Sequence, residues 1–172
     1  VEAAFVAACI RQEIADRKRA QEDLVREKDQ LKDLLHFYQY PEAQMDDISA
    51  YIIEECVRIS ESRLGFFGLV NEDETSMSVH LWSEMAMDEC GMDNKPVEFS
   101  LKNAGVWAEA IRKHTPLIIN DYSIPDPRKK GYPEGHVAVR RLMSVPLIRD
   151  GRAVALVGVA NKGEDYCEAD LL

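Results

Sequence analysis

The run Leu142-Met143-Ser144-Val145-Pro146-Leu147-Ile148, the turn Arg149-Asp150-Gly151-Arg152 and the run Ala153-Val154-Ala155-Leu156-Val157-Gly158-Val159-Ala160 decide the architecture. Two apolar stretches flank a short polar turn containing Asp-Gly, which is the pattern of a β-hairpin. Just before it, Tyr122 to Gly135 carries Pro125, Pro127, Pro133, Gly131 and Gly135, too many breakers for regular structure. A loop that long inside a compact domain tends to be functional. Leu117 to Ile119 reads as a strand ahead of Asn120-Asp121, and Asn103 to His114 as a helix with Val106, Trp107, Ala110 and Ile111 on one side. Met85 to Asp93 reads equally as a short helix or a loop. Phe66 to Val70 and Met77 to Trp82 form a second hairpin around the polar turn Asn71 to Ser76. Met45 to Arg63 puts Ile48, Tyr51, Ile52, Cys56 and Ile59 on one helical face, and Gly65 reads as its stop. Glu168 to Leu172 begins a last helix. Helix, two strands, helix, strand, long loop, two strands, helix predicts an α+β fold with a mainly antiparallel sheet flanked by helices.

Upstream, residues 10 to 38 contain neither Gly nor Pro and are rich in Ala, Leu, Glu, Lys, Arg and Gln, so they read as one long helix ended by Pro41. Steps of four and three give Ile10, Ile14, Arg17, Gln21, Leu24, Lys28, Leu31, Leu35 and Tyr38, a seam apolar at its ends and polar in its middle. That is the pattern of a marginal coiled coil, or of a solvated helix packed on its own domain. Glu13 and Arg17 stand at helix-neighbour spacing.

The 172 residues carry 46% hydrophobic and 30% charged side chains, enough for one packed domain with a helical appendage. A formal net charge of -10 disfavours direct nucleic-acid binding, which requires a basic face. No stretch of roughly 18 apolar residues is present to span a membrane. Cys9, Cys56, Cys90 and Cys167 are scattered, without a CxxC pair or zinc-finger spacing, which fits a reducing, cytoplasmic setting. Walker, GxGxxG, HExxH and GxSxG motifs are absent, as are kinase catalytic motifs, so no enzymatic role is expected of this chain.

The closing residues Val145-Pro146-Leu147, Asp150-Gly151, Gly158, Asn161-Lys162, Tyr166, Asp170 and Leu171 resemble the GAF domain. Trp82-Ser83-Glu84, Cys90, Ala104-Gly105-Val106-Trp107, Ile119-Asn120-Asp121-Tyr122 and Lys130-Gly131-Tyr132-Pro133-Glu134-Gly135-His136 resemble GAF modules of bacterial and archaeal PAS-GAF histidine kinases. Residues 13 to 24 resemble the segment that leaves a PAS domain. The resemblance implies a tail of an upstream PAS-like domain at 1–9, a helical linker at 10–40 and a GAF domain at 41–172 whose last helix is cut short. It further implies a small-ligand pocket on one face of the sheet, roofed by the long loop, in the sensory module of a signal-transduction histidine kinase. Partners would be the PAS and kinase domains of the same protein, a small molecule and a second copy joined through the N-terminal helix. Two alternatives accompany this reading: a cysteine-based enzyme resembling free methionine sulfoxide reductase, and a GAF module used only for dimerisation.

The candidate ligand residues are Trp82, Cys90, Phe99, Trp107, Asn120, Asp121, Tyr122, Tyr132, His136 and Arg140. Trp82 and Trp107 serve as core filler or pocket wall, and Tyr122 and Tyr132 flank the loop as parts of a lid. Asn120 and Asp121 cap a turn or border the ligand. His136 is a ligand contact or a satisfied loop histidine, and Arg140 pairs with an anionic ligand or neutralises the acidic surface. Cys90, beside acidic Asp88 and Glu89, is a soft packing residue, a redox-responsive thiol or an attachment point for a tetrapyrrole. Cys90 is followed by Gly91, not by a histidine, and no CxxCH is present. The cofactor is open: haem, with His136 or Cys90 as its ligand, or another small molecule.

Overall fold

The computed structural model describes residues 11–21, 24, 25, 28, 45–91, 97–131 and 134–171. The chain divides into two units, Val1–Ala43 and Gln44–Leu172. In the first, residues 11–21 form helix α1, and residues 24, 25 and 28 are helical as well. The anticipated Glu13–Arg17 pair forms at 2.9 Å on an exposed face, where it contributes a few tenths of a kcal/mol at most, about 0.3–0.5. Ile14 and Leu24 of the seam are exposed; Ile10, Leu31, Leu35, Tyr38 and Pro41 lie outside the described residues.

The second unit is built on a six-stranded sheet of order β3-β2-β1-β6-β5-β4. Its strands are β1 (Leu64–Val70), β2 (Ser76–Trp82), β3 (Glu98–Ser100), β4 (Leu117–Ile119), β5 (Leu142–Arg149) and β6 (Arg152–Ala160). Every pairing is antiparallel. The β5–β6 hairpin forms as read, with Asp150 and Gly151 both at positive φ in its turn. The remaining helices among the described residues are α2 (Met45–Ile59), α3 (Glu84–Glu89), α4 (Glu109–Lys113) and two 3-10 turns, Val106–Ala108 and Glu168–Leu171.

Alternation along the strands divides the sheet into two faces. On one, α2 buries Ile53 and half-buries Val57 against Gly65, where an added Cβ would stand 2.6 Å from Val57 Cγ2. Gly65 is therefore a close-approach residue inside β1, not the stop of α2. The stop is Ser60–Ser62: Ser60 Oγ donates to Cys56 O at 2.6 Å, and Glu61 takes the left-handed conformation at φ 51°. Met143, Val159 and Tyr166 continue this core, with Leu171 packed against it.

The opposite face carries Phe66 and Gly68 of β1, Met77, Val79 and Trp82 of β2, and Leu156 and Gly158 of β6, as the register requires. Ala108, Ala110 and Ile111 pack on Met77, Val79 and Leu156. The single helix expected over Asn103 to His114 is shorter than its apolar pattern, because Gly105 stays extended at ψ -167°. Helical turns begin only at Val106. The preceding segment is held instead by Arg112, whose guanidinium donates to Leu101 O at 2.6 Å and to Ala104 O at 2.8 Å. Strand β3 is an addition to the expected elements, being too short to show alternation in the sequence.

Candidate ligand site

On this second face the elements enclose a cavity of about 440 Å³, within the range of small-molecule sites. Its floor is made by a cross-strand pair, Phe66 and Trp82, and by Gly158 opposite Phe66 on β6. A Cβ at Gly158 would meet the Phe66 ring at 2.2 Å, so only a hydrogen lets that ring lie flat across β6. Trp107 from the 3-10 turn and Phe99 from β3 complete an aromatic wall. Phe66–Trp82 centroids are 5.7 Å apart and tilted, while Phe66–Trp107 at 6.0 Å and Phe99–Trp107 at 5.6 Å are edge-to-face. These separations lie in the attractive range for rings. Val137, Val139 and Leu142 form the facing side.

Helix α3 brings Ala86 and Cys90 to the cavity. Its N-cap, Ser83, is wholly buried; its Oγ accepts from Ala86 N–H at 3.4 Å and from Gly65 N–H at 2.9 Å. Glu54 of α2 accepts the Glu84 N–H at 2.7 Å, and Arg63 pairs with Glu89 at 2.6 Å. Thus α3 is fastened at both ends to the α2–β1 unit. Beyond it, Gly91 N–H donates to Gly135 O at 3.0 Å. That bond joins the Cys90 segment to the His136 segment, and both side chains belong to cavity-lining residues. His136 Nδ1 donates to Val137 O at 2.6 Å, since a carbonyl only accepts.

The long loop has no regular structure over its described residues, and part of its bonding is internal. Asp126 accepts from Arg128 N–H and guanidinium, which hold its carboxyl down at about 2. Lys129 Nζ donates to Tyr122 O at 2.6 Å and Ile124 O at 2.5 Å and stands 4.2 Å over the Tyr122 ring. Lys130 and Gly131 line the cavity. Asn161, at φ 64°, pins the wall to the end of β6: its Nδ2 donates to Ala138 O at 2.8 Å and its Oδ1 accepts from Arg140 N–H at 2.7 Å.

Of the sequence-designated residues, Trp82, Cys90, Phe99, Trp107, Tyr122 and His136 line this cavity. Asn120, Asp121 and Arg140 do not. Asn120 clamps Tyr166, donating to its carbonyl at 2.9 Å and accepting its N–H at 2.8 Å. Asp121 is exposed and accepts the Ser123 N–H at 2.9 Å, an Asx turn. Arg140 is exposed, and its carbonyl takes Tyr122 N–H at 2.8 Å. Tyr132 lies outside the described residues. Phe66, Met77 and Val137 also line the cavity with no motif in the sequence to mark them, as does Lys130, the first residue of the Lys130–His136 run. Cys56 sits on the α2 face, where burial, then the charge of Glu55, pushes its thiol up; Cys167 is exposed. Among the described residues no His/Cys/Asp/Glu cluster of metal-holding size occurs, and no helix is long and apolar enough to cross a membrane.

An antiparallel six-stranded sheet with helices on both faces and a hollow aromatic site under a long loop defines an α+β ligand-pocket domain. Residues 42–171 match the GAF domain family, and the chain belongs to it. The methyl sulfide methyltransferase-associated sensor of Methanosarcina acetivorans is 36% identical over 162 residues, 94% of this chain. The chain spans only 16% of that sensor's length. Among solved structures, the GAF domain of an Acinetobacter phosphoenolpyruvate-protein phosphotransferase superposes with a TM-score of 0.62 at 15% identity, covering 83% of each chain. The free methionine-R-sulfoxide reductase of Neisseria meningitidis gives 0.53 at 15% identity, over 76% of this chain and 70% of that one. At such identities these two structures share the fold with this chain.

Proposed function

We propose that this chain is the sensory module of a larger, cytoplasmic signal-transduction protein, and that its cavity holds a haem-type tetrapyrrole. The observation that carries the reading is the meeting of a thiol, Cys90, and an imidazole, His136, in one cavity walled by Phe66, Trp82, Phe99 and Trp107. The donor set fits the group: aromatic walls suit a macrocycle, and the Cys90 thiol and His136 imidazole are the cavity side chains that would hold its iron. A bound haem would supply an iron whose redox and gas-ligation state varies. The chain's own residues bind and orient: the Val137 carbonyl fixes the tautomer of His136, and the apolar walls exclude water. The sensory role is supported by the name of the Methanosarcina relative and by the small share of that protein which this chain spans.

Occupancy acts on the rest of the protein only if the ligand binds two conformations with different affinity. The fastening of α3 to Glu54 and Arg63 supplies a physical connection between the Cys90 wall and α2. Linker helices, joined in a homodimer through exposed seam residues such as Ile14 and Leu24, would carry the change between PAS and kinase domains of the full-length protein. A cysteine-based reductase reading is disfavoured: Cys56 lies on the far face of the sheet and Cys167 is exposed outside the cavity, so neither stands in it beside Cys90.

Titration with haemin tests the proposal. A saturable Soret band at one equivalent, shifted in position by His136→Ala or by Cys90→Ala, is the expected outcome. Absence of a saturable band overturns the tetrapyrrole reading, and turnover of free methionine sulfoxide overturns the purely sensory one.

A further inference from the structure

The run Arg128-Lys129-Lys130 puts three cations on the loop that roofs the cavity, and the structure separates their roles. Arg128 is committed to Asp126 at 2.6 Å and approaches Glu109 at 3.7 Å. Lys129 is committed to two backbone carbonyls and the Tyr122 ring. Lys130 alone of the three lines the cavity, and among the described residues it takes part in no hydrogen bond or ion pair. It is exposed, as is cavity-lining Asn103, whose side-chain amide likewise has no partner among the described residues. The two segments abut: a Cβ on Gly105 would lie 3.9 Å from the Lys130 backbone nitrogen. No Asp or Glu occurs among the described lining residues, although the chain carries 31 of them. An ammonium at the edge of an apolar cavity, with no carboxylate on the wall to neutralise it, favours one sign of ligand charge.

We infer that the cavity selects a planar, apolar molecule bearing an acidic group on one edge, and that Lys130, assisted by the Asn103 amide, receives that acid at the rim. This deepens the proposed ligand reading and rests on it, but the chemistry it assigns is that of the edge: a carboxylate or sulfonate held by a charge-assisted hydrogen bond. Lys130 is a specificity-determining residue here; the aromatic rings supply the bulk of the contact.

A dye pair that differs by one sulfonate group tests the inference: anilinonaphthalene sulfonate and its uncharged counterpart N-phenyl-1-naphthylamine. Both tryptophans of the chain line the cavity, so a dye bound there drains their emission by energy transfer, which locates it. The wild-type protein is expected to hold the sulfonate about five- to tenfold tighter than the neutral dye, a preference that shrinks as salt is raised. Lys130→Gln removes the preference without weakening the neutral dye, and Lys130→Arg restores it. Equal affinity for the two dyes in the wild type, or a preference that survives Lys130→Gln, overturns the inference, as does failure of both dyes to drain tryptophan emission. The haemin titration is scored separately. A dye preference of the stated form without a Soret band overturns the cofactor reading and leaves the acid-receiving rim standing.

Discussion

On the α2 face of the sheet, Gly65 lets Ile53 and Val57 descend until they fill the space above β1. On the other face, Gly158 does the same for the ring of Phe66, yet the result is a floor beneath a cavity. One glycine closes a core and the other shapes a hollow. The difference lies in the elements laid over each face: α2 runs for 15 residues with an apolar side, whereas among the described residues the opposite face receives short turns, the six-residue α3, the five-residue α4 and a proline-rich loop. Short elements leave gaps between them, and aromatic residues line those gaps without filling them. Substitutions on the closed face should therefore read out as stability, and those on the hollow face as binding.

Ile53→Ala is the largest test of that division. Ile53 is 1% exposed, and truncation should cost about 3 kcal/mol of unfolding free energy, measured by denaturant titration, with dye and haemin affinity unchanged. An equal loss of binding would show that the two faces are not separable.

A smaller effect is expected where the C-terminal segment closes the α2 face. Lys162 and Asp170 pair at 2.5 Å with side chains only 12% and 11% exposed. Burial pushes the Asp170 carboxyl up, but the Lys162 hydrogen bond and charge and the Cys167 N–H together outweigh it and hold it below the ordinary value. The same hydrogen bond raises Lys162. A depressed carboxyl stabilises above its unfolded pKa and loses that contribution as pH falls through the folded one; a raised lysine loses its own as pH rises through its folded value. Asp170→Asn should thus cost about 2 kcal/mol between roughly pH 4 and pH 10. The gap to wild type should close in acid. A gap that persists below about pH 2 would sink this assignment.

The smallest effect belongs to the hollow face and has the opposite sign. Ser144 is fully buried beside Gly158, and its Oγ has no hydrogen-bond partner among the described residues. Removing an unsatisfied hydroxyl should raise stability by about 1 kcal/mol in Ser144→Ala, seen as a higher Tm with haemin affinity unchanged. A lower Tm would mean that the hydroxyl is satisfied in solution.

Long, strongly patterned segments are legible in the sequence. The β5–β6 hairpin follows from two apolar runs around Asp-Gly, and α2 from its one-sided face, because both patterns are local. Strand β3 is not legible: three residues carry no period, and the strand exists because β2 offers an edge to pair with. The helix after Asn103 is shorter than its pattern because Gly105 remains extended and Arg112 supplies hydrogen bonds to that segment from a later turn. For the site, Trp82, Trp107 and Cys90 stand out through their chemistry. Phe66 does not, since a phenylalanine in a strand looks like core until its cross-strand neighbour is known to be Gly158. Lys130 is hidden among three consecutive cations, and only the partners of the other two distinguish it.

What the hollow face is proposed to do, above all, is receive a flat ligand in the cavity that Trp82 and Trp107 both line. Tryptophan emission during a haemin titration, with thermal unfolding of the saturated sample, tests this most directly. Stoichiometric quenching that ends sharply at one equivalent is predicted, together with a Tm that rises with haemin concentration. Quenching that grows without saturation, at an unchanged Tm, would contradict it.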